Sequence, residues 1–88
     1  MQLVNVLLQC PTMNDRNTRD TIVDALPSDI KNGVRRHSSD RVDVVNLVNT
    51  ALNYPNGLED LIEILRWFEG DSLSMQEVDR AMEKVFKS

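Results

Sequence analysis

The sequence predicts an all-α protein, a compact antiparallel bundle of six short helices, and three observations predict it. Apolar residues recur at spacings of three and four rather than two, which is the helix period. Pro11, Pro27, Gly33, Pro55–Gly57 and Gly70 divide the chain into segments of helix length. The chain has 88 residues, 41% of them apolar, which is one domain with one aliphatic core.

The first helix spans Gln2 to Gln9, with Leu3, Val4, Leu7 and Leu8 inward, and Pro11 stops it. The second runs from Asn14 to Ala25, capped by Asn14 or Asp15 and ended by Pro27. Its apolar face is thin: Ile22, Val23 and Leu26, with Thr18 at its edge. The third runs from Asp29 to Arg36, with Ile30 and Val34 inward, and Gly33 weakens it. A loop, His37–Ser39, leads to Asp40 as the cap of the fourth helix, Arg41 to Asn53. That helix offers Val44, Val45, Val48, Ala51 and Leu52, with Leu47 on a flank. Its β-branched residues also suit a strand, but it is too long for a typical one.

Asn56 and Glu59 read as the cap pair of the fifth helix, Leu58 to Glu69. Leu58, Leu61, Ile62, Leu65 and Phe68 form its stripe, and Ile64 and Trp67 broaden it, as in a helix buried on more than one side. Gly70 terminates it. Ser74-Met75-Gln76-Glu77 has the form of a capping box for the sixth helix, whose inner face is Val78, Ala81, Met82, Val85 and Phe86.

Composition excludes several functions. The net charge of −4 argues against a dedicated nucleic-acid binder. One cysteine and one histidine leave no disulfide framework, no thiolate zinc site and no expected metal or cofactor. No apolar run approaches a membrane span. Met1 to Gln9 lacks a basic leader and a small-residue cleavage site, so a cytoplasmic location is expected.

No set of residues forms a catalytic constellation, and no enzyme activity or small-molecule substrate is expected. Cys10 has no nearby cation to lower its pKa and reads as a small core residue. His37 reads as a solvated loop histidine. Asp71-Ser72-Leu73 matches the attachment tripeptide of acyl carrier proteins, but Ser72 lies too near the end of the chain and reads as a helix-linking turn.

Charge is distributed unevenly. Residues 1–44 hold six basic and six acidic side chains, whereas residues 45–88 hold four and eight. Lys31, Arg35, Arg36 and Arg41 crowd around the third helix and its loop. Glu59, Asp60, Glu63, Glu69 and Asp71 crowd around the fifth. Such faces solubilise a protein. They also suit a contact in which a basic patch on one copy meets an acidic patch on the next, giving rings or filaments. Trp67 is the candidate apolar anchor if it is exposed.

Cys10-Pro11-Thr12-Met13, Asp15-Arg16, Thr18-Arg19-Asp20 and Leu26-Pro27 with Ile30 resemble the opening of the effector-associated domains of bacterial conflict systems. The resemblance continues through Arg41-Val42-Asp43-Val44, through Leu52-Asn53-Tyr54-Pro55-Asn56-Gly57-Leu58-Glu59-Asp60-Leu61 and through Phe68-Glu69-Gly70-Asp71-Ser72. It implies a death-like fold acting as a non-enzymatic homotypic adaptor. The implied partner is a protein with a similar domain, or a second copy of the chain in an oligomer or filament. The implied setting is bacterial immunity or programmed cell death, with effectors such as caspase-like or trypsin-like proteases recruited to sensors. The alternative is a small helical nucleic-acid-binding domain using the basic cluster around residues 31–41.

Overall fold

The structure is a computed structural model that describes the backbone of residues 2–87 and the side chains of residues 2–85. The expected inner-face Phe86 lies outside the described side chains. Seven helices and no strand occur among the described residues: α1 (Gln2–Gln9), α2 (Pro11–Asn14), α3 (Arg16–Ala25), α4 (Ser28–Gly33), α5 (Asp40–Leu52), α6 (Gly57–Glu69) and α7 (Leu73–Lys87).

The seventh helix comes from reading Pro11 as a stop. It ends α1 but also starts α2, because a proline without an N–H fits the first helical position. Asp15 then takes an extended conformation (φ −82°, ψ 125°) and separates α2 from α3. Its own N–H returns to the Pro11 carbonyl, while its Oδ2 accepts the Thr18 N–H at 3.2 Å. An aspartate that caps in this way competes with helix continuation.

Other boundaries also moved. α4 ends at Gly33, not Arg36, and residues 34–39 are non-helical. Asp40 lies inside α5, behind an N-cap Ser39 that makes no side-chain cap bond. Asn56 makes none either; its backbone is left-handed (φ 59°) and supplies the turn before α6. The cap of α7 is Ser72 rather than Ser74: Ser72 Oγ accepts the Met75 N–H at 3.1 Å. Ser72 is thus a helix-linking residue, as its position in the sequence suggested.

α1 packs on α7, α5 and α2, and α6 packs on α5, α2, α3 and α7. The core between them joins Leu3, Leu7, Met13, Val44, Val48, Leu61, Leu65, Met75 and Val78. Cys10 is wholly buried in it. Three residues assigned to inner faces lie outward: Leu52, Phe68 and Trp67 are exposed. α6 is therefore buried on one side, not all round.

Two glycines are required by geometry. Gly70 ends α6 with φ +64° and ψ −141°, a conformation side chains resist. At Gly57 an added Cβ would stand 2.1 Å from the Ala51 carbonyl oxygen, where the end of α5 meets α6. Gly57→Ala should therefore lower stability by about 1–3 kcal/mol in urea unfolding. Gly33→Ala, whose Cβ would sit 3.4 Å from Thr50 Cγ2, should be neutral or stabilising by up to ~1 kcal/mol.

Candidate interaction surfaces

The structure sorts the predicted basic cluster into two sets. Arg36 belongs to an internal ion network rather than to the free surface. At the centre of that network is Arg19, fully buried on α3. Its Nε donates to Asp43 Oδ2 at 2.9 Å, Nη1 to the Met13 carbonyl at 2.6 Å and Nη2 to Asp40 Oδ1 at 2.7 Å. Asp43, on α5, is also buried. It accepts a forked pair from Arg36, Nε at 2.8 Å and Nη2 at 2.7 Å, and the His37 N–H at 3.0 Å. All four acceptor positions of this carboxylate are thereby filled. Arg36 Nη2 also donates to Asp20 Oδ1 at 2.6 Å, and Arg16 donates to the His37 carbonyl. Three arginines and three aspartates thus balance.

Burial alone would raise the Asp43 carboxyl pKa. Hydrogen bonds from Arg36, the His37 N–H and Arg19 outweigh burial and hold the group well below the usual carboxylate range. A depressed folded-state value stabilises the protein above the unfolded carboxyl pKa of ~3.9, and that contribution is lost as pH falls below it.

Lys31, Arg35 and Arg41 remain on the surface. Lys31 pairs loosely with Asp24 at 3.8 Å. Arg35 and Arg41 are exposed and make no side-chain hydrogen bond or ion pair among the described residues. Val42 is 39% exposed and shares an α5 face with Asn46, one turn on. Asn46 Nδ2 donates to the Arg35 carbonyl at 2.8 Å, which fixes Arg35 beside that face. The result is a small apolar knob with a cationic rim.

The acidic cluster is sorted in the same way. Glu69 is half-buried and lies inside the fold: its Oε2 accepts the Thr12 hydroxyl at 2.6 Å. Its Oε1 is buried and accepts no hydrogen bond among the described residues. Beside it, the Cys10 thiol is pushed up to about 12, by burial first and then by the Glu69 carboxylate charge. A thiol in that state is not a nucleophile at neutral pH.

Glu59, Asp60, Glu63 and Asp71 make no ion pair among the described residues. Trp67 is 86% exposed on α6. On one side of the indole lie Glu63 and Arg66; on the other lie Pro27, Asp60 and Ile64. Sequence reasoning missed α7's part in this surface. An open groove of about 490 Å³ runs between α6 and α7, floored by Ile62 and Met82. Its rim carries Glu59, Glu63 and Glu83, and Arg66 pairs with Asp79 along it at 2.6 Å. Met82 was read as an inner-face residue, and only the packed helix pair reveals its half-exposed edge.

No helix among the described residues is long and apolar enough to cross a membrane. No group of histidine, cysteine, aspartate and glutamate side chains that could hold a metal ion occurs among them.

The family model of effector-associated domain 2 matches residues 4–83. The chain belongs to the effector-associated domain 2 family. The match takes in the whole of the Arg19–Asp43 network, the Arg35–Arg41 knob and Trp67. No curated protein and no solved structure matches this effector-associated domain.

Two measurements test these assignments. Stability should be steady from about pH 7 to pH 5 and should fall below about pH 4. Asp43→Asn should cost about 3–5 kcal/mol at neutral pH by stranding buried Arg19, and should flatten that acid decline. Cys10 in the folded protein should resist a thiol reagent at pH 8 and react once guanidinium unfolds the chain.

Proposed function

We propose that this effector-associated domain is a non-enzymatic interaction module that pairs with a like domain, in a second copy or in a partner protein. The observation that carries the reading is the placement of unpaired surface groups. Arg35 and Arg41 form no ion pair among the described residues, nor do Glu59, Asp60 and Glu63, and Trp67 is exposed beside Asp60 and Glu63. Complementary charged patches on one surface steer association and set register. A tryptophan stranded in water is the residue type that most often anchors an interface.

In this reading the module acts in the cytoplasm and brings an effector, such as a caspase-like or trypsin-like protease, to a sensor. The effector-associated family and the exposed charged surfaces together support that role. The domain itself performs no chemistry. Its one thiol is buried with a raised pKa, and its one histidine is an exposed loop residue whose Nδ1 accepts the Ser39 N–H at 2.9 Å.

Sedimentation of the chain at low salt should show self-association that weakens as salt rises. Arg35→Glu with Arg41→Glu should weaken it at least about tenfold, and Trp67→Ala should do the same, one tenfold step being about 1.4 kcal/mol. Arg36 is unsuitable for this test, because reversing its charge would break the internal network. Association indifferent to all three substitutions would refute the reading.

A further inference from the structure

The homotypic reading names two charged surfaces without saying what shape meets what. We propose that the α6–α7 groove of one copy receives the α4–α5 corner of a second copy, centred on Val42 and rimmed by Arg35 and Arg41. The inference rests on that reading and specifies its contact.

The two surfaces match in both polarity and layout. The groove has an apolar floor, Ile62 and Met82, and an acidic rim, Glu59, Glu63 and Glu83, none of which is paired among the described residues. Arg66, which also lines it, is held by Asp79. The corner is the inverse: an exposed valine flanked by two arginines that form no ion pair among the described residues. The first turn of α5 adds to it. Ser39 makes no side-chain cap bond, and the Asp40 carboxylate is drawn to Arg19. The N-terminus of the 13-residue α5 therefore has no side-chain cap beside Arg41, and the Asp40 and Asp43 carboxylates of its first turn are engaged by Arg19 and Arg36.

The corner is also rigid enough to present this shape. Asp43 ties the His37 N–H and the Arg36 fork to α5, and Asn46 ties the Arg35 carbonyl. The backbone path is fixed before docking, and the exposed side chains remain to be ordered. Because knob and groove are different surfaces of the same chain, each docked copy still offers one of each. The contact is heterologous and propagates into a ring or an open filament instead of closing as a two-fold dimer.

Two variants with neutral substitutions separate the surfaces. One carries Arg35→Gln and Arg41→Gln, which empties the knob of charge. The other carries Glu63→Gln and Glu83→Gln, which empties the groove rim. All four side chains are exposed, so thermal melts should match the parent chain. In sedimentation and light scattering, the parent should form assemblies that grow with concentration. Each variant alone should associate at least about tenfold more weakly. Mixed, they should form a complex that stops at one copy of each, since one intact knob and one intact groove remain. If the parent associates and the groove variant associates equally well, the groove contact is wrong and the homotypic reading survives. A mixture no more associated than either variant alone also overturns the knob-and-groove pairing. A parent chain that stays monomeric at all concentrations overturns the contact between copies and leaves the homotypic reading only as pairing with a like domain of a partner protein.

Discussion

A buried arginine sets the constraint on which much of the structure depends. Arg19 lies wholly out of water, so its charge must be met on every side. Two helices and a loop supply what it needs: the Met13 carbonyl from α2, Asp40 and Asp43 from α5, and, through Asp43, Arg36 from the loop after α4. Replacing such a network with apolar residues can be neutral for stability, whereas removing one member is costly. Its effect here is geometric. It ties α3 to α5 through Arg19 and holds the chain between α4 and α5 in one non-helical path.

That path links fold to surface. Arg36 is drawn inward to Asp43, and its neighbour Arg35 is exposed, its carbonyl held by Asn46 of α5. Asp40 is diverted to Arg19, which leaves the first turn of α5 without a side-chain cap. The second surface is organised by a different constraint. Gly57 lets α6 begin close against the last turn of α5, and α6 then lies beside α7 so that Ile62 and Met82 floor a shared groove. One ion network and one close backbone approach thus place the two charged surfaces.

Much of this was legible in the sequence. The three- and four-residue spacing gave the helical class, and the extent of α1 matched to the residue. Gly70 as a terminator and Cys10 as a core thiol also followed from residue chemistry alone. Other features were hidden for physical reasons. Pro11 serves both as a stop and as a first helical residue, and Asp15 both ends and begins a helix, so six helices became seven. Ser72 capped α7 because the serine nearest the turn, not the one with a glutamate three residues on, reached the free N–H. Composition counts charges but not their partners. Arg36 and Glu69 sit among surface charges in the sequence, yet tertiary contacts hold them within the fold. The exposure of Trp67 could not be read from a stripe that also contains Leu61 and Leu65.

If the Arg19–Asp43–Arg36 network organises the fold, it holds residues 34–39 as firmly as a helix. Backbone 15N order parameters across this segment test it most directly. Values of about 0.85, equal to those of α5 and α6, are expected. Values below about 0.6 at His37 and its neighbours, with the helices still rigid, would contradict it.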